Sequence, residues 1–580
     1  MIRKRALWVL GGLSLGTALL VGRLVYLQVF DSGKLSALAQ AQRTRTIDLS
    51  AKRGEIVDIN GKELAVSIDA YSIYAIPHEA KDFDAPKTAA ALAPLLGMTA
   101  DELQGHLSGS TFRWLKRQVD ESTRRKIEAL KLPGIGTVRE TKRLYPNGTL
   151  AATLLGFVGV DNQGLAGVEL SFDKVLRGPH RKLQVQVDAY GREILREGTT
   201  APLASFMAEG SQVVLTIDED LQAIAERELN GEMQSSGAER GAVLIMEPQT
   251  GNLVAYAVAP TFDPNHYADY SWSVIKNWPA TDVYEPGSTM KIFTIGAALD
   301  HGTITPDQQF VCPPLIRVDG RPISDHEAPK TPRVLTPFEI MEQSSNVGAT
   351  KIAFTMPPSE HRAFLEKMGF GHLTGSGILG ESRGDVPELP WAHIRQSTIA
   401  FGQGISVTPL QILTGVAAVA NGGVRVEPRL IDRVVDAKGQ TTQTFPVKVV
   451  GRVMQAKTCE ELIALLKRVV AGGTGTYAQV PGYVLAGKTG TAQKVRADGM
   501  GYSPDVVASF VGLVPADQPR YVMLTLLDAP QKVHWASLTA VPLWGHIAAD
   551  IFRLRGIRPT APLPSGSPSP LPTPNLHDDH

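Results

Sequence analysis

Three short motifs in this chain carry side chains suited to acyl transfer through a serine: Ser288-Thr289-Met290-Lys291, Ser344-Ser345-Asn346 and Lys488-Thr489-Gly490. A serine hydroxyl is a poor nucleophile until a base removes its proton. On a helix, Lys291 would lie one turn beyond Ser288 on the same face. Its amine can act as that base only when neutral, which requires burial or a neighbouring positive charge. Lys488 is a candidate for the second cation. Ser344 can relay a proton to a leaving amine, and Asn346 offers an amide to orient a peptide or Lys291. Lys488-Thr489-Gly490-Thr491 follows the apolar run 483–486 and reads as a strand edge, to which an extended peptide can add as a further strand. Gly490 would let that peptide approach closely, while Lys488 and Thr489 hold its terminal carboxylate.

Each motif alone is weak. Ser-x-x-Lys also occurs at Ser171/Lys174 and Ser273/Lys276. Ser344-Ser345-Asn346 has a plainer reading as a capping element, and Lys488-Thr489-Gly490 as a strand running into a turn. Context separates the copies. Ser288 follows the turn Pro286-Gly287 and precedes the apolar stretch 292–299, which suits a buried helix with Ser288 at its start. Ser273 runs toward Asn277-Trp278-Pro279, where proline stops a helix. Ser171 has neither partner motif close behind it.

The elements that must position these residues follow from periodicity. Residues 212–218 read as a strand leading into a helix over 221–229 capped by Asp218. Residues 242–246 and 253–258 flank a turn and read as a hairpin, and a similar pair recurs at 508–514 and 521–527. Helical pattern fills the region between, so an α+β domain whose sheet is closed by distant segments is expected. Between the N-terminal apolar stretch and residue 205, short apolar runs alternate with turns. They include residues 56–61, which look like a strand entering the turn Asn60-Gly61, and helices over 87–93 (stopped by Pro94), 101–107 and 122–132. This region reads as a spacer.

At 580 residues, two or three domains are expected. Lys+Arg and Asp+Glu both total 58, which gives no reason to propose nucleic-acid binding. Cys312 and Cys459 leave one disulfide and two free thiols equally open, and no metal spacing exists. Arg3, Lys4 and Arg5 precede an apolar run of about 25 residues, long enough to cross a bilayer with its N-terminus inside. The small-x-small site Ala37-Leu38-Ala39 lies too far downstream for a signal peptidase. Residues 559–580, rich in Pro, Ser and Thr, read as a disordered tail.

With Val283-Tyr284-Glu285-Pro286-Gly287 before Ser288, residues 402–411 (Gly-Gln-Gly-Ile-Ser-Val-Thr-Pro-Leu-Gln) and Asn421-Gly422-Gly423, the ordered motifs resemble the class B penicillin-binding proteins. Arg53-Gly54-Glu55-Ile56-Val57-Asp58, Arg143 with Tyr145-Pro146-Asn147-Gly148, and Gly164 through Gly167 to Glu169 resemble that family's pedestal boxes. Asp282 through Ser288 and Asp188-Ala189-Tyr190-Gly191-Arg192 resemble its septal, FtsI-like group. Two departures stand out: Ile59, where arginine is frequent, and Ala536-Ser537, where a Gly-Gly pair usually precedes the final helix; neither is expected to touch the chemistry.

The resemblance implies a single transmembrane helix (1–30), an elongated pedestal domain (31–205) and a β-lactamase-like transpeptidase domain with an antiparallel sheet flanked by helices (206–556), before the tail (557–580). It implies a peptidoglycan D,D-transpeptidase without cofactor or metal, working outside the cytoplasm from the plasma membrane. Its ligands would be stem peptides ending in D-Ala-D-Ala and β-lactams, and its partners an FtsW-like lipid-II polymerase and division proteins. Catalytic roles fall to Ser288, Lys291, Ser344 and Asn346, substrate binding to Lys488, Thr489, Gly490 and Thr491. Backbone amides of Ser288 and Thr491 would form the oxyanion hole. A β-lactamase is disfavoured because Glu226-Arg227-Glu228-Leu229-Asn230, its one match to a deacylation motif, precedes Ser288 and reads as helix surface. A sensor receptor needs more membrane spans, and a bifunctional synthase needs a glycosyltransferase domain. The alternatives within reach are an elongation-type enzyme and a catalytically silent division scaffold.

Overall fold

The computed structural model describes residues 2–33, 44–49, 51–77, 80, 82–109, 112–178, 181–186, 209–326, 328–496 and 501–562. The site at Ala37–Ala39, residues 188–192, the expected boundary near 205 and nearly all of the Pro-rich tail lie outside them. The chain divides into two compact units, 1–52 with 177–210, and 53–176 with 211–580.

In the first unit, helix α1 (Ile2–Val25) continues through a π turn (Tyr26–Phe30). Together they give one exposed apolar helix of 29 residues, enough to cross a hydrocarbon layer of about 30 Å. Strands Thr44–Leu49 and Arg181–Gln186 pair antiparallel in the same unit.

The second unit begins with strand β1 (Ile56–Val57) and the long strand β2 (Glu63–Ala75), joined across the Asn60-Gly61 turn. Strands β3 (Arg113–Val119) and β4 (Ile135–Leu144) both pair with β2. Helices Ala85–Leu96, Ala100–Leu107 and Glu121–Ala129 bury Leu92, Leu96, Leu103 and Ile127 against Ile73 and Leu115. Two of these helices depart from expectation. The first runs through Pro94 and ends at Gly97 in the left-handed conformation. A proline this near the C-terminus removes one hydrogen bond, but the last-turn packing of Leu96 outweighs that loss. The third stops at Ala129, short of Leu132.

The pedestal-like boxes meet in one buried ion cluster. Glu169 is fully buried and takes Arg53 Nε on one carboxylate oxygen and Arg143 Nε on the other, both at 2.6 Å. Tyr145 donates its hydroxyl to Glu169 at 3.2 Å, and Arg143 also reaches the Gly54 carbonyl. Burial, reinforced by the Glu169 charge, pushes the Tyr145 hydroxyl well above its usual value. Glu169→Gln keeps the shape but leaves buried guanidinium charge uncompensated. A loss of about 3–5 kcal/mol is expected, read as a lower denaturant midpoint at unchanged slope; an unchanged midpoint would refute the role.

Strand β5 (Gln212–Leu215) lies parallel to β1, so the same sheet continues through β5 to β8 (Ile431–Val435) and β9 (Thr441–Thr444). Helix α2 (Glu219–Ser236) is capped by Asp218, which accepts from the Leu221 amide. A second sheet has five strands. Its order is β10 (Ala486–Val495), β11 (Tyr502–Val514), β12 (Tyr521–Asp528), β6 (Arg240–Met246) and β7 (Leu253–Ala259), every neighbouring pair antiparallel. Both faces are buried. Val243 and Ile245 belong to a core with α2 and α6 (Ala540–Arg555), whereas Ala242, Leu244 and Met246 join a core with α3 (Lys291–Asp300), helix Pro409–Ala420 and α5 (Ala456–Gly472). Period-two alternation along the apolar residues 242–246 feeds two helix layers at once. Cys312 and Cys459 are both buried, free thiols.

Candidate active site

Ser288 occupies a 3-10 turn (Gly287–Met290) that runs directly into α3. Gly287 has φ +57°, and a Cβ there would come to 3.1 Å from the Ala492 Cβ. Glycine therefore permits both the left-handed backbone and the close approach of β10. The segment before Ser288 is held by residues 402–407. Gly287 donates to the Gly402 carbonyl at 3.0 Å, Gly404 donates to Glu285 Oε1 at 2.8 Å, and Tyr284 pairs with Val407.

Lys291, the first residue of α3, is fully buried. Its Nζ donates to Ser288 Oγ at 3.1 Å and to Ser344 Oγ at 3.2 Å, and also bonds the Ser344 carbonyl. Burial first, then the Lys488 charge, hold its amine well below the usual lysine value, with Asp325 opposing. Lys488 on edge strand β10 is buried as well, and burial pushes its amine down to about 7. It donates to Ser344 Oγ at 2.9 Å and to Thr489 Oγ1 at 3.1 Å. The Ser344 hydroxyl thus stands between two lysine amines, one of which also touches Ser288. Such an arrangement can take a proton from the serine and pass one onward.

Four expectations are refined. Asn346 donates its amide to the Ser324 carbonyl at 3.1 Å, so it does not orient Lys291. Gly490 makes room for protein: a Cβ there would meet Ser509 Oγ at 2.6 Å and the Pro286 carbonyl at 2.9 Å. The missing side chain therefore lets β10 seat against the serine turn, because strand alternation points that position inward. Glu226 is no plain surface residue, since it accepts from the Ala151 amide at 2.7 Å. Ala536, at the departure before the final helix, donates its amide to Thr491 Oγ1 at 3.4 Å and so does touch a site residue. The decoy serines stand apart. Ser171 bonds the Gly167 carbonyl, Ser273 bonds Ser271, and Lys276 pairs with Asp282.

Residues 241–552 match the penicillin-binding protein transpeptidase domain, and residues 48–215 the penicillin-binding protein dimerisation domain. The chain belongs to the penicillin-binding protein transpeptidases. It is 34% identical to peptidoglycan D,D-transpeptidase FtsI of Escherichia coli, over 95% of this chain and 92% of that one. It is 31% identical to stage V sporulation protein D of Bacillus subtilis, over 96% of this chain and 87% of that one. Among solved structures, penicillin-binding protein 3 of Mycobacterium tuberculosis in complex with aztreonam superposes with a TM-score of 0.69 at 28% identity, over 89% of this chain and 99% of that one.

Two features of this penicillin-binding protein had no signal in the sequence. Asp325, a buried carboxylate just after strand Arg321–Ser324, accepts from Ser345 Oγ and the Val347 amide. His326 and Trp535 lie with ring centroids 4.5 Å apart, joining the segment beside Asn346 to the one beside Thr491.

Proposed function

We propose that this penicillin-binding protein cross-links peptidoglycan stem peptides in septal wall synthesis, with Ser288 as the acylated nucleophile. The observation that carries this is the Lys291 amine, buried and within hydrogen-bond reach of both Ser288 Oγ and Ser344 Oγ. Neutral Lys291 takes the proton as Ser288 Oγ bonds to the carbonyl carbon of the penultimate D-alanine. Amides of Ser288 and Thr491 hold the oxyanion. Collapse breaks the C–N bond, and terminal D-alanine leaves with a proton delivered through Ser344. An acceptor amine then attacks the ester, gives up its proton by the same route in reverse, and Ser288 regains its own. Lys488 and Thr489 hold the substrate carboxylate, and the peptide adds to the β10 edge. A β-lactam acylates the same serine, but its leaving amine stays tethered to the acyl group.

The reading places a pedestal over 31–205 and the transpeptidase domain over 206–556. An FtsW-like lipid-II polymerase and division proteins would be met through the anchor and pedestal. Septal action is supported by the similarity to FtsI, and fluorescent-penicillin labelling with imaging separates it from elongation: label along the side wall would overturn it. Wall precursors are cross-linked outside the cytoplasm, so α1 should span the plasma membrane with Arg3, Lys4 and Arg5 inside. Protease added to spheroplasts should digest the chain after residue 31 and spare a tag at Met1. Protection of the catalytic domain would remove the wall-facing function, whereas a mature start near Gln40 would remove only the tether.

A further inference from the structure

Ser344, the relay between the two lysines, has φ +58°, a left-handed backbone that a serine adopts only when its surroundings hold it. The next residues supply the hold. Ser345 caps α4 (Asn346–Ala353), its Oγ accepting from the Gly348 amide at 2.9 Å. That same hydroxyl donates to Asp325, 2.9 Å from either carboxylate oxygen, and the Val347 amide donates to Asp325 Oδ1 at 3.0 Å. Asp325 is only 7% exposed, and Arg333 closes its outer side at 2.8 Å.

We propose that Asp325 is a positioning residue for acylation: it fixes the left-handed turn that sets the Ser344 hydroxyl between the two lysine amines, and it stands as the counter-charge to Lys291. The inference rests on Lys291 as the base of the reading above. The groups facing Asp325 are Arg333, the Cys312 thiol and Lys291, and those facing Lys291 are Lys488 and Asp325. Two ammonium groups around one hydroxyl would repel each other strongly in a buried site. A carboxylate one residue behind that hydroxyl offsets the repulsion without touching the substrate. It also supports the proton on Lys291, against burial and Lys488.

The test is the rate of fluorescent-penicillin acylation against pH for the full chain in detergent. Asp325→Asn should acylate about 10- to 100-fold more slowly, the range for losing a hydrogen bond to a charged group. The acid limb of its profile should move to lower pH, because Lys291 without the carboxylate gives up its proton more readily. Ser345→Ala keeps the carboxylate, so it should slow acylation with the limb in place. An unmoved limb in Asp325→Asn, or a wild-type rate in Ser345→Ala, overturns the proposal. Should Asp325→Asn fail to melt cooperatively, Asp325→Glu carries the test: it keeps the charge but displaces the turn, so acylation at the wild-type rate overturns the proposal. Label retained by Ser288→Ala would instead remove the serine reading itself, and so separates the two failures.

Discussion

Ser288→Ala should abolish covalent penicillin labelling, and Ser273→Ala should leave it intact. The expectation rests on environment. Ser288 Oγ lies 3.1 Å from a buried lysine amine held well below its ordinary proton affinity. Ser273 Oγ bonds another serine, and the lysine three residues on is committed to Asp282. A serine without a base is an ordinary alcohol, so the loss in Ser288→Ala should be complete. Intact-mass spectrometry decides it. An adduct on purified, folded Ser288→Ala would reassign the nucleophile.

Lys291→Ala should slow acylation by about 10²–10⁴-fold, the usual share of a general base, and Lys291→Arg should not restore it. A guanidinium keeps its proton at any working pH, so it can donate to Ser288 but never accept from it. Alanine at 291 also leaves the turn without the bonds that Lys291 makes to both serines. A melting curve must therefore accompany the rate. A folded arginine variant acylating at the wild-type rate would show that Lys291 only positions Ser288.

How much of this was legible beforehand depended on the kind of residue. The three motifs were legible only as an ordered set in context, because Ser-x-x-Lys alone also occurs at Ser171 and Ser273. The hairpins of the second sheet were legible through their apolar runs and turns. Pro94 points to a helix end because its penalty is local, whereas the packing of Leu96 that outweighs it is set by the fold. Gly490 was assigned to the substrate because a sequence does not tell which face of a strand a missing Cβ opens. Asp325 gave no signal at all, since its partners Ser345 and Val347 lie some twenty residues away and only the fold brings them together. The Arg53–Glu169–Arg143 cluster was visible only as separate boxes, because charge pairing across such distances has no local pattern.

The order of strands in the second sheet bears on when the chain can react. β6 and β7 precede Ser288 in the chain, but β10, β11 and β12 are the last strands to be made. Synthesis runs from the N-terminus, and domains fold as their parts emerge. Until β10 lies along the serine turn, Lys291 lacks Lys488 beside it. The Lys488 charge that helps hold the amine below its usual value is then missing. On the proposed roles of Ser288 and Lys291, the chain should become reactive toward an acylating antibiotic only once the final strands close the fold.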